Sequence, residues 1–207
     1  SSLESSIPGC TAMFANGAQG DQRPVEGTQK GWEWTEAIGA SLANNVKTLA
    51  DTVRCTEANL HVANALPRLP ASMAADILPS QTVLQTLEID DLLLEFVPGE
   101  ACADVGLELR THALERGYAA QCTIGLSNDH IGYIVTAQAY GNVDYETRMS
   151  FYGPRMTQWL TSEFGKLMTR GAADAPPSEI VAPDTDAAII TLSGTPYEIG
   201  YQRGLAQ

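Results

Sequence analysis

Positive charge is scarce in this chain. Twelve Lys and Arg face 25 Asp and Glu, a formal charge of −13 over 207 residues. Those few cations form no cluster, so a phosphate backbone would be repelled rather than gripped, which sets nucleic-acid binding aside. Long apolar runs are missing too. None approaches the roughly 18 residues that span a bilayer, so no transmembrane segment is expected. The opening "SSLESSIPGC" has neither the basic nor the apolar region of a signal peptide. The four cysteines, Cys10, Cys55, Cys102 and Cys122, make no CxxC pair. A local zinc knuckle is thereby excluded, and buried free thiols are the expected state.

What the chain has is apolar substance: 44% of its residues are hydrophobic, enough to bury a core of one domain or slightly more. Thr11 to Ala15 reads as a short buried strand. From Trp34 to Val53, Ile38, Leu42, Val46, Leu49 and Val53 recur at four- and three-residue steps, which puts them on one helical face. "LHVANALPRLP", broken by Pro67 and Pro70, and "TVLQTLEI" read as extended, and "DLLLEFV" as a buried strand. Pro98-Gly99 stops that strand and leaves Glu100 at a strand-to-helix junction. The helix runs through Arg110 to Arg116 and ends at Gly117. "YAAQCTIGL" and "GYIVTAQAY" read as two further strands around the polar turn "SNDH". The segment from Tyr145 to Arg170 is helical at both ends, with a break at Gly153-Pro154. Residues 171–186, rich in Pro, Ala and Asp, mark a linker, and "AAIITL" starts something new. The alternation of elements predicts an α/β, or mixed α+β, fold.

The glycine-rich loop "FANGAQGDQRPVEG", Phe14 to Gly27, invites a phosphate-binding reading. It has no Lys-Ser/Thr after the glycines and no G-x-G-x-x-G, so both nucleotide readings fail.

A different pattern gathers around "VPGEACADVGLELR". Its P-G-E, followed in register by Gly106, Leu109 and Arg110, resembles the neutral ceramidase family. The likeness continues through Gly125, Leu126, Asn128, Tyr133, Ile134, Thr136, Tyr140, Tyr145, Glu146 and Gly153-Pro154. In the opening loop, Gly20, Asp21 and Pro24 match the family's G-[D/N]-x-S-P turn. The resemblance covers residues 7 to 170 and implies a zinc-dependent amidase domain whose N-terminal part is absent from the sequence.

Carried over position by position, the resemblance implies that Glu100 and Tyr133 are zinc ligands. It makes Tyr145 a catalytic tyrosine that donates to the developing oxyanion. Gly20, Asp21 and Tyr140 become loop or substrate-side residues. It also implies a secreted or periplasmic location. Two departures stand out. Arg23 occupies the place of the family's nucleophilic serine, and a guanidinium cannot attack a carbonyl. Its planar fork suits a substrate carboxylate instead. The two histidine ligands that the family draws from upstream have no counterpart here, so the remainder of the same polypeptide or a companion chain would supply them, and the isolated piece is expected to be inactive. His61 and His112 read as surface or half-buried positions, and His130 as a solvated loop histidine.

A second, shorter likeness lies in "GTPYEIGYQRG", Gly194 to Gly204. Residues 193–207 resemble the start of the autoproteolytic acyltransferases related to isopenicillin N acyltransferase. The expected organisation is a ceramidase-like domain over residues 1–170, a linker, and the start of an acyltransferase-like domain over residues 187–207. The expected function is hydrolysis of the amide of an N-acyl compound, lipid or amino acid. The alternative is a degenerate ceramidase-like scaffold partnering the acyltransferase-like part.

Overall fold

The computed structural model describes residues 2–24, 31–50, 52–53, 57–72 and 76–171. The chain divides into two compact units, Ser1–Ala15 with Arg23–Ala58, and Asn16–Gln22 with Asn59–Gln207.

The first unit holds helix α1, Ser2–Ser6, and helix α2, Trp32–Ala50, which touch one another. Glu33 in its first turn and Lys47 in its last complement the dipole of α2. Its apolar stripe is where the periodicity put it, yet none of its residues is buried; Ile38, Leu42, Val46 and Leu49 all face solvent. Thr11 to Ala15 is not a strand. Met13 and Phe14 are exposed in irregular chain, because a short apolar run becomes a strand only where a neighbouring strand takes up its backbone groups.

The second unit is a four-stranded sheet with helices on one face. Strands β1, Leu60–Ala65, β2, Leu84–Ile89, and β3, Leu92–Phe96, run antiparallel in sequence order. Strand β5, Ala120–Ile124, lies parallel to β3, with Leu92 beside Ala120 and Phe96 beside Ile124. A parallel neighbour needs a crossover, which helix α3, Ala103–Glu115, supplies. Helix α5, Met156–Leu167, lies against β2, β1 and α3. Leu84, Leu93, Val97, Val105, Leu109, Leu160 and Phe164 close the core between sheet and helices, all without solvent exposure. The architecture is mixed α+β.

A second, two-stranded ribbon sits where the sheet ends. Strand β4 is only Glu100–Ala101 and strand β6 only Tyr133–Ile134. The long strand expected over "GYIVTAQAY" is therefore short. After Ile134 the chain leaves for a 3-10 turn, Ala139–Asn142, and then helix α4, Tyr145–Arg148, capped by the Asp144 carboxylate on Thr147 N. No described helix is long and apolar enough to cross a membrane. The linker beyond residue 171 and the stretch 187–207, with its acyltransferase-like motif, lie outside the described residues.

Candidate active site

The β4–β6 ribbon is made possible by glycine. The β6 side approaches so closely that a Cβ on Gly99 would stand 2.5 Å from Gly132 O, and one on Gly132 would stand 2.6 Å from Met149 O. Gly132 also has φ +92°, a conformation that side chains disfavour. Glu100 N donates to Gly132 O at 3.0 Å and Cys102 N to Ile134 O at 3.0 Å. In this parallel register Glu100 stands beside Tyr133. Two residues 33 positions apart thus share one edge of the molecule.

Their side chains meet. The Tyr133 hydroxyl is held above the ordinary tyrosine range, first by burial, then by its hydrogen bond to Glu100 and the negative charge there, with Tyr145 and Glu146 adding to the effect. Tyr145, more than half exposed at the start of α4, sets its ring edge-on to Tyr133 with centroids 5.5 Å apart. Tyr140 lies half-buried in the 3-10 turn.

The opening loop belongs to the same corner as far as Gln22. Gly20 N donates to Ala101 O at 2.8 Å, and Gly125 N to Asn16 O at 2.9 Å. A Cβ on Gly20 would come within 2.6 Å of Glu100 O, so only glycine permits this seat. Gly17, by contrast, has room for a side chain, with nothing closer than 4.0 Å. Asp21 Oδ1 accepts from Ala103 N at 2.8 Å and so caps α3 from outside the helix. Arg23 is exposed and belongs to the first unit, whereas Gly20 and Asp21 belong to the second. The loop from residue 25 onward lies outside the described residues.

One expectation is corrected here. His130 is not a solvated loop histidine: its Nε2 lies 3.3 Å from Glu100 Oε1, and both side chains are largely covered. The turn that carries it is pinned to the corner before Glu100, with Leu126 N on Gly99 O, Ser127 N on Val97 O and Ile131 N on Pro98 O. Polar composition suggested a solvated turn; backbone pairing to the Val97–Gly99 corner between β3 and β4, which composition does not report, decides otherwise. The thiols differ from expectation as well. Cys102 is buried, but Cys122 is exposed, because it lies on the sheet face away from α3 and α5. Cys102 is no nucleophile: burial foremost, then Asp21, Glu146, Asp144 and Asp104, push its thiol up to about 12.

No protein-family model matches the chain. A curated relative, Neutral ceramidase B of Dictyostelium discoideum, is 30% identical over 126 residues, which take in 58% of this chain and 17% of the relative. The chain thus spans less than a fifth of that relative's length. Among solved structures, the neutral ceramidase from Pseudomonas aeruginosa is similar with a TM-score of 0.46 at 23% identity, over 53% of this chain and 18% of that one. A ceramidase complexed with C2 is similar with a TM-score of 0.41 at 22% identity, over 44% and 15% of the two chains. In sequence, then, the chain is similar to a neutral ceramidase.

Proposed function

We propose that this chain is part of a zinc-dependent amidase that hydrolyses the amide bond of an N-acyl compound, either a ceramide-like lipid or an N-acyl amino acid. The observation that carries the proposal is the facing of Glu100 and Tyr133 across the β4–β6 ribbon. The likeness to Neutral ceramidase B supports the same chemistry.

The donor set fits zinc as far as it goes. A carboxylate oxygen and a phenol oxygen suit two of the four positions of a zinc shell. Among the described residues no group of three His, Cys, Asp or Glu converges. The remaining donors would come from the rest of the polypeptide or a companion chain. When bound, zinc supplies Lewis acidity, polarising an amide carbonyl and lowering the pKa of water.

The other residues bind and position. Tyr145, more than half exposed and edge-on to the Tyr133 ring, donates its hydroxyl to the oxyanion that forms as the carbonyl is attacked. Gly20 and Asp21 fix the loop against the Glu100 strand. Arg23, which follows in that loop, pairs with a substrate carboxylate and favours N-acyl amino acids over neutral lipids.

One experiment on the full-length protein tests this. The wild type should hold stoichiometric zinc and cleave N-acyl substrates, and Glu100→Gln should lose the metal, since an amide ligates more weakly than a carboxylate. Arg23→Ala should weaken turnover of an anionic substrate by roughly 1.5–3 kcal/mol and spare a neutral one. Full zinc occupancy in Glu100→Gln would count directly against the assignment. Arg23 in the serine's place favours a second reading, a degenerate scaffold partnering the acyltransferase-like region. Absence of both zinc and turnover in the wild type would select it.

A further inference from the structure

We propose that His130 is the positioning residue of Glu100, a role that rests on the metal-ligand reading given above. The geometry sets the tautomer. Nδ1 of His130 is buried and, among the described residues, has no hydrogen-bond partner, while Nε2 points at Glu100 Oε1 across 3.3 Å. A proton on Nδ1 would be a buried N–H with no acceptor, and would leave Nε2 facing the carboxylate lone pair to lone pair. The proton therefore sits on Nε2, which donates to Glu100.

The ring can impose an orientation because it is itself held. His130 N donates to Asp129 Oδ1 at 2.8 Å, and the other oxygen of Asp129 accepts from Thr82 Oγ1 at 3.2 Å. Thr82 is buried beside the sheet, so the chain of contacts begins in the fold and ends on the carboxylate. Free glutamate turns about three side-chain bonds. With Oε1 held by His130 and Tyr133 as its other partner, Glu100 keeps one direction before any cation arrives. Partners that orient a ligand in this way commonly govern metal affinity about as strongly as a weak ligand does.

The test uses the full-length protein and zinc alone as probe. Competition with a chromogenic chelator should show His130→Ala and His130→Phe binding zinc about 10- to 100-fold more weakly than wild type. His130→Gln, whose amide N–H reaches a similar place, should recover most of that loss. A purely structural role would lower Tm in all three variants and leave zinc affinity in step with folding, without rescue by Gln. Unchanged affinity in His130→Ala, alongside loss of zinc in Glu100→Gln, overturns the positioning role and leaves the metal reading intact. Nitrogen-15 NMR supplies a readout independent of zinc and of whether the His130 variants fold. The His130 ring should carry its proton on Nε2, and Glu100→Gln should move that resonance. If the wild type binds no zinc, the metal reading fails, and this spectrum alone decides whether His130 orients Glu100. A proton on Nδ1, or an Nε2 signal indifferent to Glu100→Gln, overturns the proposal.

Discussion

Glu95 and Glu100 stand one corner apart on the same stretch of chain and live in different chemistry. Glu95 is the fourth of the five residues of β3, beside Thr86 on one strand and Thr123 on the other, with no solvent exposure. Burial pushes its carboxyl up to about 8, although Gln121 Nε2 donates to Oε2 at 2.6 Å and pulls the other way. One hydrogen bond does not offset the loss of water around a charge, so Glu95 keeps its proton at neutral pH. Glu100 comes after Pro98-Gly99 has turned the chain out of the sheet, and its side chain, about a quarter exposed, meets an imidazole and a phenol. The lesson is that the corner, not the residue type, sets the surroundings: the same side chain is a core group inside the sheet and a partly exposed group with polar neighbours beyond it.

The comparison breaks most visibly at Glu95. Its carboxyl titrates near 8 when folded against an ordinary glutamate value of 4.5, so between those values the folded chain retains a proton that the unfolded chain releases. Its contribution to stability is complete below pH 4.5 and is lost as pH rises through 8. Glu95→Gln removes this dependence, since a neutral amide can still accept from Gln121. Urea unfolding should show the variant gaining roughly 3–5 kcal/mol on the wild type between pH 5 and pH 9. Parallel pH profiles for the two proteins would mean that the buried carboxyl is not held neutral.

Next comes the ribbon that makes Glu100 different. Gly132→Ala places a Cβ 2.6 Å from the backbone oxygen of Met149 and forces a side chain onto φ +92°. Backbone cannot yield as a side chain can, so the loss should be about 2–4 kcal/mol. Gly153→Ala is the fitting control. Its φ of +82° is equally unfavourable, but a Cβ there meets nothing within 4 Å. That change should cost about 1 kcal/mol. Equal losses from the two would show that strain alone, and not the close approach of Gly132 to Met149, sets the cost.

How much of this could be read from the chain divides along the same line. Strands β1, β2, β3 and β5 were legible because β-branched and apolar residues stand between clear turn signals, and α3 because Pro98-Gly99 and Gly117 bracket it. Pro98-Gly99 made the end of the strand before Glu100 legible, and the structure sets Glu100 beside Tyr133. The ribbon was not legible, since a two-residue strand has no periodicity and depends on backbone pairing with a distant segment. His130 was missed for a related reason: "SNDH" is polar, and nothing local announces that its neighbours bond to Val97, Pro98 and Gly99. In α2 the pattern gave the helix and its apolar stripe correctly, but periodicity says nothing about what covers a stripe, and here the stripe is exposed.

The smallest effect is expected at Asp21, and it sharpens the comparison from the loop side. Helix α3 begins after Cys102, which offers no side-chain cap, so the first turn has backbone donors to satisfy. Asp21 meets one of them from 82 residues away, accepting from Ala103 N at 2.8 Å. Capping and loop anchoring are therefore one interaction, which ties the seat of the opening loop to the helix that follows Glu100. Asp21→Ala should cost about 1 kcal/mol, the ordinary worth of an N-cap, and Asp21→Asn, which keeps the acceptor oxygen, should recover most of it. Hydrogen exchange adds the discriminating readout. Loss of the anchor should speed exchange at Gly20 N as well as at Ala103 N, because the Gly20 bond to Ala101 O depends on the loop remaining seated. Faster exchange at Ala103 alone would leave Asp21 a cap and nothing more, and the loop would then be held by Gly20 and Asn16 without it.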